Sequence, residues 1–597
     1  MCIRDRAKSW LGNVPFVLVD LLGNMGRMVY LILERMALGF LASKPWPVVP
    51  GLLLLALFGA LVLWRRENRW VVLLVAGWIA VGTLLAAMLI TALWHVGRYQ
   101  VPFLAILIPL AGVGIGTLLS AAKPAWRKAL YLAVLLWGFL VFYSSIQAGQ
   151  AFYDGVASTL GQQVILGDTI NQQLEEDVTV AVHDAGAIRY LGKRNTYDMI
   201  GLTTQGVADA WRHGSGAIFE VMARATNRPT HFATYPDVAT IPYLAETSLF
   251  AQELYVTEPY GSRTASTAGP IQGLYKADWS AADNSAHPRQ GDIRTLTGDM
   301  TQVASIDLAD LYDEEEKNLS WSIGRTQPGF PTEARQFTFQ TDPQEELLDG
   351  GRLISGHLTF PVQVTPDQLL PLVAGLHPDE AGALAVKVNG RDGGLWRYPA
   401  MPGRWLETVF QIPGDLIDDS LLDIELQLVD EEGTAKPIGI YHLWAFQGPR
   451  HVRETAPQVK LGHRLGSQIV LQGYDLPIRD LKPGEELPLT LYWSAEDAPD
   501  MDAKVFLHIY DAQGDLVAQV DQRPFHDTRP PYSWFQGEQI IDTYQLSLPP
   551  DIKTGYYDIA VGLYNPMNNE RLAMTTPEGE PLPDNRIFLD QILVRSE

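Results

Sequence analysis

The residues best suited to hold a ligand lie in a short polar stretch between two apolar runs, at positions 94–99 (WHVGRY). A helix that begins near Gly97 would place Arg98 at its N-terminus. There the planar guanidinium and the positive end of the helix dipole suit a phosphate group. Arg98, together with His95 and Tyr99, is therefore a candidate phosphate site. The other interpretation is an interfacial anchor, because Arg and Tyr commonly reach toward lipid headgroups at helix ends.

A second polar set lies upstream, where Asp20, Arg27 and Glu34 follow Asn13 at intervals of seven residues. On a helix over about 13–41 this spacing places the side chains on one face. One interpretation is a helix that lies in the membrane interface with its polar stripe in water. The other is a membrane helix whose stripe lines a polar cavity, and it makes Asp20, Arg27 and Glu34 candidate cavity residues.

Apolar runs without a charged residue surround the polar stretch. Each is about long enough for a membrane helix, and together they predict an α-helical transmembrane bundle within residues 1–149. The lipid bilayer is therefore the first partner that we expect. The approximate bounds of the predicted spans are 48–64, 70–94, 100–119 and 129–146.

The orientation of this bundle follows from two basic turns. Arg65, Arg66 and Arg69 form the first turn, and the second turn lies at 123–128 with three further basic residues. The positive-inside rule places both turns in the cytoplasm. The alternation of spans then places the polar stretch at 94–99 outside. It also makes residues after about 147 extracytoplasmic, so we expect a multi-pass protein of the bacterial inner membrane.

Composition divides the chain into two parts. Residues 1–150 contain 13 Lys and Arg against 4 Asp and Glu, whereas the whole chain has a net charge of −23, so the remainder carries −32. An acidic soluble part argues against nucleic acid as a partner. A length of 597 residues predicts several domains. Cys2 is the single cysteine, so ordinary cores must hold these domains without disulfides.

The first soluble region, residues 150–276, alternates strand and helix patterns and predicts a small α/β domain. Asp184 follows the β-branched strand at 178–182 and suits the N-cap of the next helix. His183, Asp184 and Asp198 have the residue types of a metal or acid/base cluster. Their spacing matches no ligand motif, and capping and turn chemistry is the preferred interpretation.

Two β-rich regions follow a polar stretch at 277–300 that predicts a linker. Residues 301–450 have the short alternating strands of a β-sandwich, of jelly-roll or carbohydrate-binding-module type, and residues 457–597 those of an immunoglobulin-like sandwich. Trp396 and Trp405 are candidates for stacking on sugar rings, with the sandwich core as the alternative, whereas Trp444 is assigned to the core. The sequence contains no metal-binding motif that would assign a metal site, and the cofactor is unknown.

Three motifs carry a family resemblance. The run Gly97-Arg98-Tyr99-x-x-Pro102 precedes an apolar, Gly-rich segment, and two acidic runs follow at Asp184–Tyr190 and Asp198–Leu202. Together they resemble GT-C-type membrane glycosyltransferases, the relatives of protein O-mannosyltransferases of glycosyltransferase family 39. The resemblance implies an outward-facing active site and a polyprenyl-phosphate-linked sugar donor. The acceptor would be a glycan, a lipid or a protein, and Arg98, His95 and Tyr99 would hold the donor phosphate.

The resemblance also determines what is expected to be missing. In that family the catalytic acid lies in the first extracytoplasmic loop, and this sequence offers no counterpart, so we assign no catalytic residue. We therefore expect the C-terminal fragment of a glycosyltransferase. The alternative is a non-catalytic, membrane-anchored surface protein that displays carbohydrate-binding sandwiches.

Overall fold

A computed structural model describes residues 18–36, 49, 51–87, 101–237, 241–258, 267–282, 287–322, 330–339, 345–430, 435–448 and 455–595. The chain divides into two compact units, Met1–Ser280 and Ala281–Glu597. The first unit contains helices followed by an α/β sheet, and the second contains two β-sandwiches. The predicted order of helices followed by β-sandwich domains is therefore confirmed.

Each predicted span overlaps a described helix of apolar residues. Two of the described helices are long and apolar enough to cross a membrane, Arg69–Ala87 and the continuous run Pro124–Gln173. Pro124 occupies the first turn of its helix, where its missing N–H costs nothing. The helices are α1 (Leu18–Met36), α2 (Leu52–Arg65), α3 (Arg69–Ala87), α4 (Val101–Ala121), α5 (Pro124–Thr159) and α6 (Ile165–Gln173).

Small residues bring α2 and α4 together. A Cβ atom on Gly59 would lie 1.9 Å from the carbonyl oxygen of Leu110, and one on Gly114 would lie 2.5 Å from that of Leu55. Such distances mean that the two backbones touch where the glycines face each other. Close approach through small residues is how apolar helices associate when hydrophobic burial contributes little.

The helix that follows Pro124 does not end at the predicted boundary between residues 149 and 150. A π-helical turn at Leu160–Val164 joins α5 to α6, and the whole run comprises 50 residues. The predicted membrane domain and α/β domain are therefore connected by an uninterrupted helix rather than by a loop.

The α/β domain has a five-stranded sheet in the order β2-β1-β3-β5-β4. β1 is parallel to both β2 and β3, whereas β5 is antiparallel to β3 and to β4. The strands are β1 (Thr179–Val182), β2 (Asn195–Asp198), β3 (His231–Thr234), β4 (Phe250–Val256) and β5 (Gly273–Ala277). The helices are α7 (Ala185–Gly192), α8 (Val207–His213), α9 (Ser215–Ala223) and α10 (Pro242–Ala245).

The first sandwich packs a five-stranded sheet, β13-β12-β15-β10-β7, on a six-stranded sheet, β11-β14-β8-β9-β16-β6. Both sheets contribute apolar side chains to a single core. Two short helices are α11 (Gly291–Thr297) and α12 (Leu311–Glu316). The strands are β6 (Thr301–Asp307), β7 (Ser320–Trp321), β8 (Thr332–Phe339), β9 (Glu346–Ile354), β10 (His357–Gln363), β11 (Leu370–His377), β12 (Gly382–Val388), β13 (Arg391–Tyr398), β14 (Arg404–Ile412), β15 (Leu421–Leu428) and β16 (Ile438–Gln447).

The second sandwich packs two five-stranded sheets, β23-β20-β18-β17-β25 and β19-β26-β24-β21-β22. Alternate residues of their strands meet in a second core. The strands are β17 (Val459–Leu465), β18 (Ile469–Asp475), β19 (Asp480–Leu481), β20 (Glu486–Ala495), β21 (Lys504–Tyr510), β22 (Leu516–Gln522), β23 (Gln539–Ser547), β24 (Gly555–Tyr564), β25 (Met574–Thr575) and β26 (Ile587–Val594).

The stretch at 277–300, predicted as a linker, contains α11, so that prediction is wrong. Ile293 and Leu296 of this helix share a buried cluster with Phe535 of the second sandwich. A salt bridge reinforces the contact, because the fully buried guanidinium of Arg529 lies 3.4 Å from Asp292. The helix therefore helps to join the two sandwiches.

Candidate functional site

A polar site lies at the carboxyl ends of two neighbouring parallel strands. His183 and Asp184 directly follow β1, and Tyr235 directly follows β3. The chain passes from β1 to β2 on one side and returns to β3 on the other side of β1. Open α/β sheets bind ligands at this kind of topological switch point, in the crevice outside the carboxyl ends of the strands.

Asp184 is the centre of this site. The hydroxyl of Tyr235 donates a hydrogen bond of 2.5 Å to Asp184 Oδ2, and the side-chain amide of Gln163 donates one of 2.9 Å to the same atom. The Nδ1 atom of His183 lies 3.3 Å from Asp184 Oδ1. The carboxylate is thus fixed in one orientation, while its side chain remains 25% exposed.

The hydroxyl of Tyr235 stays protonated at neutral pH. Burial and the neighbouring charge of Asp184 together raise the pKa of Tyr235 well above its usual value. A phenol that stays protonated remains available as a hydrogen-bond donor to Asp184. The rings of Tyr235 and Trp211 both contact His183 edge to face, with centroids 5.3 and 5.4 Å from its own.

Gln163 reaches the site from the π-helical turn of the long helix. A π turn re-aims side chains locally, and such turns are frequent at functional sites. The neighbouring Gln162 donates to the carbonyl oxygens of Gly269 and Pro270, at 3.2 and 2.7 Å. The end of the long helix is therefore anchored to the α/β domain, and its Gln163 donates a hydrogen bond to Asp184.

Asp184 occupies the N-cap position of α7, as predicted, but its side chain makes no capping hydrogen bond. The capping interpretation is therefore wrong for this carboxylate, because Tyr235 and Gln163 hold it instead. A fixed, partly exposed carboxylate beside aromatic rings is a good acceptor for the hydroxyl groups of a small ligand. Sequence reasoning missed Gln163 and Tyr235, which are distant from Asp184 in the chain.

Asp198 has a different role. Its carboxylate accepts hydrogen bonds from the backbone N–H groups of Ile200 and Thr203, at 3.0 and 2.8 Å, so it closes a turn. Gly201 follows with φ of 76°, and a Cβ there would lie 2.2 Å from the backbone nitrogen of Ala208. The interpretation of the 198–202 run as turn chemistry is confirmed, and Asp198 does not join Asp184 in a cluster.

The predicted phosphate site, Arg98 with His95 and Tyr99, lies outside the described residues. Of the predicted cavity residues, Arg27 is an exposed residue of α1. The side chains of Asp20 and Glu34 fall outside the described part, although both positions lie on the same helix. The choice between an interfacial helix and a cavity-lining helix therefore stays a prediction.

The two predicted sugar-stacking residues are buried. Trp396 and Trp405 are each 1% exposed, so neither offers a ring face to a sugar, and that prediction is wrong. Trp396 packs in the sandwich core, and Trp405 packs under α11 while its Nε1 donates to Glu407 Oε1 at 3.0 Å. Trp444 is 2% exposed, which confirms its assignment to the buried interior.

One set of side chains in the first sandwich has the types that bind metals, although the sequence predicted no metal site. Potential ligand atoms of Asp307, Asp349 and His442 all lie within 4.8 Å of one another. His442 Nε2 is 2.9 Å from Asp349 Oδ2, a distance that a His–Asp ion pair explains equally well. The three positions come together through strands β6, β9 and β16, and their spacing in the sequence gave no signal.

Comparison with known proteins matches part of the chain. A family described as a domain of unknown function (DUF8728) matches residues 155–299, which contain the α/β domain and α11. No curated protein sequence matches the chain.

Similarity to solved structures is distant. A calcium-binding mutant of β-glucuronidase 2 from Bacteroides uniformis has 14% identity and a TM-score of 0.15, over 37% of this chain and 26% of its own. The C-terminal domain of wzt has 13% identity and a TM-score of 0.17, over 24% of this chain and 83% of its own. The matched part spans about a quarter of the β-glucuronidase, and TM-scores this low carry no functional argument.

Proposed function

We propose that this chain is the C-terminal part of an integral membrane glycosyltransferase of the GT-C type, with its α/β domain on the extracytoplasmic side. In this proposal a polyprenyl-phosphate-linked sugar is the donor, and Arg98, with His95 and Tyr99, holds its phosphate at the membrane surface. The catalytic acid is supplied from outside this chain.

The observation that carries the proposal is the position of the acidic run that begins at Asp184. This run is one of the motifs that resemble the family, and its first residue lies at the switch point of the sheet. Gln163, from the helix that continues out of the apolar region, donates directly to its carboxylate. A continuous path of covalent and hydrogen-bonded structure thus links the apolar helices to the polar site around Asp184, at the carboxyl ends of β1 and β3, which is called the crevice below.

In the proposed role, the crevice binds the acceptor and does no bond breaking. Asp184 accepts hydrogen bonds from sugar hydroxyls, while the bonds from Tyr235 and Gln163 keep its carboxylate from rotating. Such binding away from the reacting atoms stabilises the bound acceptor and the transition state equally. It therefore affects KM more than kcat.

Sugar transfer in membranes tests the proposal. Membranes that contain the product of the complete reading frame are incubated with a radiolabelled polyprenyl-phosphate sugar and an envelope glycan extract. Loss of a hydrogen bond to a charged group costs about 1.5–3 kcal/mol, which predicts that Asp184→Asn raises the KM for acceptor about tenfold or more. We expect kcat to change little.

Asp168→Asn is the matched control, because Asp168 lies on the long helix that carries Gln163, and its carboxylate accepts a hydrogen bond from Gln172, one turn away, at 2.6 Å. This variant should transfer sugar as well as the wild type does. Absence of transfer by the wild-type protein above the background of control membranes would contradict the proposed function. An unchanged KM for Asp184→Asn would remove the crevice from it.

The alternative is a non-catalytic membrane-anchored protein that displays carbohydrate-binding sandwiches. Its predicted sugar-stacking residues, Trp396 and Trp405, are buried and cannot contact a sugar. This alternative now rests on a different surface. The outer face of the C-terminal sandwich carries the half-buried His508 and Tyr510 on one strand and the exposed Phe588 on another.

A further inference from the structure

Three potential metal ligands lie in a row across three adjacent strands of the first sandwich. In the six-stranded sheet, β16 lies between β9 and β6. Each of these strands supplies one side chain, Asp349 from β9, His442 from β16 and Asp307 from β6. Their potential ligand atoms all lie within 4.8 Å of one another. These three residues are called the His442 cluster below.

A β-bulge brings His442 into this row. The register between β16 and β11 shifts by one residue at this point, which leaves Tyr441 as the extra residue. The rings of Tyr441 and His442 both contact Trp405, with centroids 5.6 and 6.4 Å from its own, so they share one side of the sheet. Bulges commonly re-aim a side chain in this way. The imidazole also stacks on Trp444, at 5.1 Å and 18°, which fixes the plane of its ring.

The neighbouring strands place one carboxylate on each side of the imidazole. Asp349 Oδ2 lies 2.9 Å from His442 Nε2, and the other oxygen of Asp349 accepts a hydrogen bond of 2.8 Å from the backbone N–H of Gly350. Asp307 is directly opposite His442 in the antiparallel pair of β6 and β16. Side chains that are opposed in this way begin about 5 Å apart. The backbone therefore positions all three groups around one point.

An ion pair between His442 and Asp349 involves only one of the two carboxylates. Asp307 brings a second negative charge to the same imidazole, and like charges at a shared site repel each other. Asp349 is 1% exposed and His442 is 2% exposed, so water screens this repulsion little. A divalent cation between the carboxylates replaces the repulsion by attraction. The guanidinium of Arg352, further along β9, donates to Glu314 at 2.7 and 2.5 Å and is balanced there.

We infer that the His442 cluster binds zinc or a chemically similar divalent transition-metal cation. An imidazole nitrogen among the ligands favours this class over calcium and magnesium, which prefer oxygen ligands alone. Zinc binds nitrogen and oxygen at about 2.0–2.2 Å, so its ligand atoms lie roughly 3–4 Å apart. Asp307 is half-buried, and it is the ligand with the most room to approach the ion. The inference concerns the first sandwich and does not depend on the proposed transferase.

Zinc binding by the detergent-solubilised full chain tests the inference. The protein, purified without a histidine tag, is stripped with a chelator and titrated with zinc chloride in competition with a chromophoric chelator. We expect a single high-affinity zinc per chain and a melting temperature that rises with zinc concentration. Calcium chloride at the same concentrations should neither displace the zinc nor raise the melting temperature to the same extent.

Two variants locate the zinc. His442→Gln removes the imidazole and should weaken zinc binding by about a hundredfold or more, because loss of even an outer partner of a metal ligand costs about 10- to 100-fold. Asp307→Asn changes the half-buried ligand and is the variant less exposed to misfolding. It should weaken zinc binding about tenfold or more and reduce the rise in melting temperature. Circular dichroism checks that each variant keeps its strands.

His377→Gln is the matched control. His377 is also buried in the first sandwich and also lies near two carboxylates, with Nδ1 3.5 Å from Glu333 and Nε2 3.4 Å from Asp379. The two carboxylates contact different ring nitrogens, so they do not surround one point, and this variant should bind zinc as the wild type does. Failure of the wild type to bind zinc, unchanged affinity in Asp307→Asn, an equal loss in His377→Gln, or a preference for calcium would overturn the inference.

Discussion

The apolar helices and the two sandwiches are held together by different means. In the helical region α2 and α4 touch through the backbone at Gly59 and Gly114, and large apolar side chains such as Leu74 and Phe139 are exposed. In the sandwiches most of the large apolar side chains point inward, and charged groups such as Arg529 are buried with partners. The difference is the one expected if, as proposed, the first region lies in a membrane and the second in water.

Removal of Arg529 is expected to have the largest effect on the sandwich side of this comparison. Its guanidinium is fully buried, 2.8 Å from Glu538 and 3.4 Å from Asp292. Arg529→Met leaves two buried carboxylates without their cation, which predicts a loss of about 3–5 kcal/mol in the free energy of unfolding. Chemical denaturation followed by tryptophan fluorescence measures this loss.

Arg464→Met is the control for Arg529. Arg464 pairs with Glu496 at 2.6 Å, but both side chains are about half exposed, and such surface pairs contribute about 1 kcal/mol or less. Equal destabilisation by the two variants would contradict the role of the buried ion group in joining the sandwiches.

Glu407 predicts a pH dependence in the same unit. Burial raises the pKa of Glu407 from 4.5 to about 7, although backbone N–H groups of Arg289 and Gln290 donate to its carboxylate. Because the folded pKa is the higher one, its stabilising contribution is present below pH 4.5 and is lost as pH rises toward 7. The loss amounts to about 3 kcal/mol.

Comparison with Glu407→Gln isolates this effect. Asp542, whose pKa burial also raises to about 7, is present in both proteins and cancels. Between pH 4.5 and pH 7 the unfolding free energy of the wild type should therefore fall relative to that of the variant. A difference that stays constant across this range would show that Glu407 titrates normally.

On the helical side, Gly59→Ala should cost about 1–3 kcal/mol, the usual range for overpacking, because its Cβ would overlap the carbonyl oxygen of Leu110. The melting temperature of the detergent-solubilised protein reports this change. Gly112→Ala is the matched control, since a Cβ at that position of α4 has no atom within 4 Å. A lower melting temperature for the control alone would refute the contact between α2 and α4.

The smallest effect is expected from single cysteines that test the proposed topology. In a Cys2→Ser background, Asn68→Cys changes an exposed turn and Ala125→Cys an exposed position in the first turn of α5, so both should leave stability unchanged. Both basic turns are proposed to face the cytoplasm. A membrane-impermeant thiol reagent should therefore label either site only after the membrane has been permeabilised, and labelling of intact cells would reverse the orientation.

Local patterns in the sequence predicted the elements better than they predicted the site. Apolar runs, alternating strands and turns such as Asn389-Gly390 act over a few residues, and the helices and strands form where they indicate. The role of Asp184 was missed because its partners Gln163 and Tyr235 are 21 and 51 residues away. Those distances close only when the sheet order is known.

Two further errors have equally physical causes. Leu395 and Trp396 are adjacent apolar residues of β13, so alternation does not decide which one faces inward, and Leu395 is 49% exposed while Trp396 is buried. Helix α11 was missed because it is only seven residues long and has two apolar contacts, Ile293 and Leu296, in a polar stretch.

The length of the long helix sets the distance between the end of the apolar run and the crevice. At 1.5 Å per residue, the 20 residues from the end of the apolar run at Tyr143 to Gln163 measure about 30 Å. If the apolar run ends at the bilayer surface and the helix is perpendicular to it, the carboxylate of Asp184 lies about that far above the lipid. The phosphate of a lipid-linked donor lies at the level of the headgroups and does not reach this distance. The crevice would then select membrane-attached acceptors by their length. Long glycans would extend far enough from the bilayer to bind there, whereas short ones would not.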